Sequence, residues 1–94
     1  MKKTVLITGS SRGIGRAGAE LFAEKGYNVV INYLHSEPEA LNLAASLEKK
    51  GHQVLTCKAD VSQRDQVDNM IARSLKTFGT IDVLINNADR KSVV

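Results

Sequence analysis

Thr4-Val5-Leu6-Ile7-Thr8-Gly9-Ser10-Ser11-Arg12-Gly13-Ile14-Gly15 decides how the rest of the chain is read. The first half is a short, apolar, β-branched run, the composition of a buried strand. The second half is a turn punctuated by glycine that opens a helical pattern. Residues 13–26 place Ile14, Gly18, Leu21 and Phe22 at i, i+4, i+7 and i+8, which predicts one buried helical face, and Gly26 stops the helix. A strand that runs through a glycine-rich turn into a helix is the opening of a parallel β-α-β unit.

The same rhythm continues outward. Asn28-Val-Val-Ile-Asn-Tyr33 reads as the second strand. Ser36, with Glu39 three residues on and Pro38 in the first turn, predicts a capped second helix whose stripe is Ala40, Leu41, Ala44, Ala45 and Leu47. Residues 53–58 read as the third strand. Ser62 is the expected cap of a third helix with Val67, Met70, Ile71 and Leu75 on its apolar face, and residues 81–86 as the fourth strand. The pattern βαβαβαβ predicts an α/β fold with helices on both faces of a four-stranded parallel sheet. Right-handed crossovers favour the order 3-2-1-4, a Rossmann-like three-layer arrangement and half of a doubly wound sheet.

Length and composition bound the function. The chain has 94 residues, 43% hydrophobic and 24% charged, enough for one small soluble domain. Only four side chains are aromatic, too few for a platform that stacks single-stranded bases. No apolar run is long enough to span a bilayer, and residues 1–7 are too short for a signal peptide. One cysteine, Cys57, allows no internal disulfide, and no Cys/His set has zinc spacing. A cytoplasmic protein with neither membrane nor nucleic-acid partner is expected. The charge of +3 comes entirely from residues 1–26, where Lys2, Lys3, Arg12, Arg16 and Lys25 face Glu20 and Glu24.

The turn itself points to an anion. Glycines let backbone approach a ligand closely, and the first N–H groups of a helix, with its dipole, favour a pyrophosphate. A literal G-x-G-x-x-G spans Gly13 to Gly18, but it begins inside the helix, where Gly18 reads as a close helix–sheet contact. No Gly-Lys-Ser/Thr follows, so this is not a Walker A loop. Asp60 sits where a receiver-domain phosphoacceptor would, yet Gly9-Ser10 stands where that fold needs an acidic pair. Asp60 reads equally as a turn aspartate, and Asn86 and Asn87 as strand-end caps. His35 and His52 read as exposed bystanders, and Cys57 as a small core residue.

Three stretches together resemble the short-chain dehydrogenase/reductase family. Thr8 to Gly15 is similar to its cofactor motif T-G-x-x-x-G-x-G, Asp60-Val61 to its adenine-contact pair, and Asn86-Asn87-Ala88 to the start of N-N-A-G. The resemblance runs from about Lys3 to Ala88. Ser10 to Gly15 and Val29 to Tyr33 are most similar to bacterial 3-oxoacyl-acyl-carrier-protein reductases. It implies a dinucleotide ligand held by Gly9, Ser11, Arg12, Gly13, Ile14, Gly15, Tyr33, Ser36, Asp60, Val61, Asn87 and Ala88. The strand-two end carries no acid before Glu37, and Arg12 stands ready for a phosphate. NADP(H) is therefore preferred over NAD(H), unless Arg12 and Ser36 are only a surface cation and a cap.

Family members transfer hydride with a serine and a Tyr-x-x-x-Lys pair, which the resemblance places further along a longer chain. Here Tyr27 is followed four on by Ile31 and Tyr33 by Glu37, so no catalytic residue is assigned. Asp89 replaces the motif's glycine, and residues 89–94 match nothing in the family. The reading is a domain over 1–88 with a tail at 89–94, a truncated or frame-shifted product or one with an engineered tail, inactive alone and expected to self-associate through the strand-four edge. The alternatives are a module that only binds dinucleotide, or a fragment that self-associates through the bared edge of strand four without ligand.

Overall fold

The computed structural model describes residues 2–11 and 13–87. Its elements are β1 (Thr4–Ile7), α1 (Gly13–Glu24), β2 (Asn28–Tyr33), α2 (Glu37–Lys49), β3 (Val54–Lys58), α3 (Arg64–Phe78) and β4 (Val83–Ile85). The four strands form one parallel sheet in the order β3-β2-β1-β4, as the sequence pattern predicts. β1 and β2 lie at its centre and are buried along their whole lengths, which is why both read as continuous apolar runs. No helix among the described residues is long and apolar enough to cross a membrane.

Alternation along the strands sends side chains to two cores. Val5, Ile7, Val29 and Ile31 pack under α1 and α2, against Ala19, Ala23, Leu43 and Leu47. Leu6, Val30 and Cys57 face the other way, with Met70 of α3 and partly buried Leu55, Phe78 and Ile81. Each fully buried Leu or Ile contributes roughly 1.5–3 kcal/mol, and five of them (Leu6, Ile7, Ile31, Leu43 and Leu47) are at most 2% exposed.

The helix faces differ from those read in the sequence. In α1, Ile14 is 83% and Leu21 55% exposed, and the buried residues are Gly15, Ala19 and Ala23. The helix lies so close to the sheet that its contact face holds the smallest residues and its large ones fall to the flanks. In α2, Leu43 replaces Leu41 and Ala45 in the stripe, and in α3 the buried positions are Met70 and Ser74, with Leu75 exposed. Ser74 satisfies its hydroxyl by donating to the Met70 carbonyl at 2.8 Å.

Ser36 takes the cap position of α2, its carbonyl accepting the Ala40 N–H at 3.0 Å, but neither serine makes a side-chain cap bond. Ser36 has φ −97° and ψ 54°, away from the extended conformation that aims a cap oxygen at the first turn. Gln63, not Ser62, precedes α3, and Ser62 turns back to Asp60 instead. β4 is shorter than residues 81–86. Its outer edge pairs with no other strand among the described residues, and Leu84 is 63% exposed there.

Candidate functional site

In a parallel sheet every strand ends at the same rim, so the segments after β1, β2, β3 and β4 converge. That rim collects most of the residues singled out in the sequence. Arg12, Ala88 and residues 89–94 lie outside the described residues, so their placement is not part of the site described next.

The turn after β1 is built on backbone geometry. Gly9 has φ 61° and Gly13 φ 63°, the left-handed region that only glycine enters without strain. Among the described residues nothing lies within 4 Å of a Cβ placed on Gly13, so its conformation is what favours glycine there. Gly15 is different. A Cβ on it would sit 2.5 Å from the Gly9 carbonyl oxygen, 2.6 Å from Asn87 Nδ2 and 2.8 Å from Ser10 Cα. Any side chain at 15 drives α1 away from the turn. The close approach assigned to Gly18 therefore belongs to Gly15; a Cβ on Gly18 meets only Ile7 Cδ1, at an ordinary 3.7 Å.

Side chains then tie the turn to the neighbouring strand ends. The Thr8 hydroxyl accepts the Asn87 backbone N–H at 2.8 Å and donates to Asn86 Oδ1 at 3.2 Å. Asn87 Nδ2 donates to the Gly9 carbonyl at 3.3 Å. Asn86 and Asn87 thus act as strand-end ties that lock β4 onto the β1 turn. On the other side Asn32, the penultimate residue of β2, accepts the Gly9 N–H on Oδ1 at 2.9 Å. Its Nδ2 donates to the Ala59 carbonyl at 3.1 Å and the Cys57 carbonyl at 3.4 Å. Ser10 N–H donates to the Asn32 carbonyl at 3.0 Å, and Ser10 Oγ accepts the Asn32 N–H at 3.2 Å.

Thr8, Ser10 and Asn32 were missed as site builders in the sequence. The signal was present for Asn32: an amide inside Val29-Val-Ile-Asn-Tyr33 must find partners if the strand is buried, and at 2% exposure it does.

The remaining predicted residues divide. Ser11 is buried beside the turn and Ile14 stands exposed at its mouth. Tyr33 is 8% exposed and packs in the core under α2, so it offers the rim little beyond its backbone. Its hydroxyl reaches Glu37 Oε2 at 3.5 Å. Burial, then the Glu37 charge, raises the phenol above its usual range. Ser36 is half-buried at the start of α2. Asp60 and Val61 are half-buried after β3, where Asp60 Oδ1 accepts the Ser62 hydroxyl at 2.6 Å and its N–H at 3.0 Å. Those bonds hold the Asp60 carboxyl below its ordinary value, with a smaller contribution from His35. Cys57 is buried, and desolvation raises its thiol. Among the described residues no group of His, Cys, Asp and Glu is arranged to hold a metal.

Among the described residues, the lysines of the first segment lie away from this rim. Lys2, Lys3 and Lys25 line a shallow recess with Gly26 and Tyr27, before β1 and β2 begin, at the opposite end of the sheet. Arg16 pairs with Glu20 at 3.6 Å on the surface of α1.

What the rim offers chemically is a set of first-turn N–H groups on α1 without intrahelical acceptors, on a turn where no described residue crowds a Cβ on Gly13. Known proteins are similar to the chain as a whole. The chain is 43% identical over 88 residues to the 3-oxoacyl-[acyl-carrier-protein] reductase FabG of Staphylococcus epidermidis (strain RP62A), covering 94% of this chain and 36% of that protein. It is 42% identical over 86 residues to an L-rhamnose 1-dehydrogenase (NAD(P)(+)) of Sphingomonas sp. (strain SKA58), covering 92% and 34%. A solved structure, a dehydrogenase/reductase from Sinorhizobium meliloti 1021, superposes with a TM-score of 0.88 at 30% identity over 92% of this chain and 34% of that one. The chain thus spans about a third of the length of these relatives. The family model described as short chain dehydrogenase matches residues 3–93, past Ala88 into the segment read as a tail, and the chain belongs to that family.

Proposed function

We propose that this chain is the NADP(H)-binding portion of a carbonyl/alcohol oxidoreductase of the 3-oxoacyl-acyl-carrier-protein reductase type. One observation carries the reading: the Thr8–Gly15 turn, where Gly15 admits no side chain and no described residue crowds a Cβ on Gly13 at the start of α1. Gly13, Ile14 and Gly15 would present backbone N–H groups to a pyrophosphate, with Gly9 and Ser11 shaping the turn. Arg12 and Ser36 would meet a 2′-phosphate, Asp60 and Val61 the adenine, and Asn87 and Ala88 the inner part of the cofactor. Ile14, exposed beside the turn, offers an apolar surface to a ring. The nicotinamide, when bound, supplies or takes the hydride.

Hydride transfer to a carbonyl also needs a proton donor held at the substrate oxygen. No Tyr-x-x-x-Lys occurs in these 94 residues. We therefore assign binding, and not turnover, to this chain by itself. The buried single cysteine suits a reducing, cytoplasmic setting. The β4 edge, unpaired among the described residues, and exposed Leu84 favour self-association.

Fluorescence titration tests the binding reading: NADPH binds about tenfold more tightly than NADH, the gain of one charge-assisted phosphate contact. Equal or tighter NADH binding overturns the preference, and no binding of either at millimolar concentration overturns the reading. Turnover of a 3-oxoacyl substrate by the chain alone would overturn the assignment of binding without catalysis. Sedimentation showing only monomer at high concentration would remove the self-association.

A further inference from the structure

We propose that Asn32 is a positioning residue for the phosphate turn, deciding which of its amides are left for a ligand. The inference rests on the dinucleotide reading and deepens it. It begins from a constraint on one carboxamide. The Cys57 and Ala59 carbonyls on the β3 side can only accept hydrogen bonds, so the Asn32 NH2 must face them, at 3.4 and 3.1 Å. The Oδ1 atom is thereby aimed at the β1 turn, where it takes the Gly9 N–H at 2.9 Å. The Asn32 backbone takes the next donor, Ser10 N–H, at 3.0 Å.

Two amides of the turn are thus consumed inside the protein. Gly9 serves through its φ of 61° and not as a donor to the ligand. Anion binding is reserved for the amides from Gly13 onward, which the clamp on Gly9 and Ser10 holds at the rim. Asn32 does not touch the ligand in this scheme. Aspartate has the same shape but no NH2, and its carboxylate would face two carbonyl oxygens. Leucine fills similar volume and offers no acceptor to Gly9.

Amide hydrogen exchange on the unmodified chain, with and without NADP+, is the first test. Gly9 and Ser10 are protected without ligand to the level of β1 amides, and NADP+ changes them less than about twofold. Gly13 and Ile14 exchange freely and gain protection on binding. Fast exchange at Gly9, or a gain there equal to that at Gly13, overturns the proposal. Should NADP+ protect nothing, the dinucleotide reading fails, while the ligand-free pattern still decides whether Asn32 clamps the turn.

The second test is Asn32→Asp, read by affinity for NADP+ and for 2′-AMP, which lacks the pyrophosphate. Repelled by the Cys57 and Ala59 carbonyls, the carboxylate no longer holds its oxygen on the Gly9 amide, which lowers NADP+ affinity about tenfold or more, with 2′-AMP held within about twofold. Equal loss for both ligands in a folded variant means a merely structural role and overturns positioning. If Asn32→Asp does not fold, Ser10→Ala, which deletes only the 3.2 Å acceptor of the Asn32 N–H, carries the same comparison with a loss of about threefold. No selective loss there overturns the proposal.

Discussion

The two ends of the sheet use the same residue types to opposite effect. At the N-terminal end, Asn28 Nδ2 donates to Thr4 Oγ1 at 3.1 Å and Asp82 Oδ2 accepts the Thr4 N–H at 2.9 Å. Thr4 and Asn28 are register partners, so these bonds add to the ladder and close that end. At the C-terminal end, Asn32, Thr8 and Asn87 spend their bonds on the turn after β1. There the side chains hold backbone away from the sheet, in a shape that it would not keep alone. Amide and hydroxyl groups finish a sheet at one end and support a site at the other; the difference lies in whether any of their bonds reach the turn after β1.

The largest expected effect tests whether the C-terminal rim is rigid. Gly15→Ala puts a methyl 2.5–2.8 Å from two backbone atoms and Asn87 Nδ2. It should cost about 1–3 kcal/mol in urea unfolding and lower NADP+ affinity more than tenfold. Gly18→Ala, with 3.7 Å to Ile7 Cδ1, should instead stabilise by up to about 1 kcal/mol through helix propensity. Equal behaviour of the two variants would break the comparison.

Next comes a matched pair. Thr8→Val strands the Asn87 N–H and Asn28→Ala removes the donor to Thr4, each for about 1–3 kcal/mol of stability by denaturation. Only Thr8→Val should weaken NADP+ binding, several-fold by titration.

A smaller effect concerns charge. Replacing Lys2, Lys3 and Lys25 by alanine should change NADP+ affinity less than twofold at 0.15 M salt. β1 and its partners separate that end from the rim by at least about 13 Å, beyond a screening length of about 8 Å. A larger loss would mean that the ends communicate.

The smallest lies in the Asp60 turn. Its carboxyl is depressed by the Ser62 bonds, so its contribution to stability is full above the ordinary value of 3.8 and is lost as pH falls through the lower folded value. Ser62→Ala should move that titration, followed by carboxyl NMR, back toward 3.8.

Strand order, element order and the position of the site were legible because they follow from alternation and from glycine placement after β1. The helix faces were less so, for a reason visible in α1. A periodicity search weights large apolar residues, and it selected Ile14 and Leu21. The close contact at Gly15 instead selects Ala19 and Ala23, and leaves the large residues outside. The serine caps held in part: Ser36 takes the cap position without a side-chain bond, and Gln63 takes it in place of Ser62. Ser62 satisfies a capping pattern, but the Asp60 carboxylate competes for its hydroxyl at 2.6 Å. Asn32 was hidden because a lone polar residue near a strand end resembles a boundary until the strand proves buried.

Cys57 gives the molecule a clock of its own. Its carbonyl takes part in holding the Asn32 amide, and its thiol is 1% exposed, the single sulfhydryl of the chain. A thiol reagent can react only when β3 lifts from α3 or from the strand beside it. The labelling rate of the unmodified protein therefore counts how often the floor of the site comes apart, without any introduced probe.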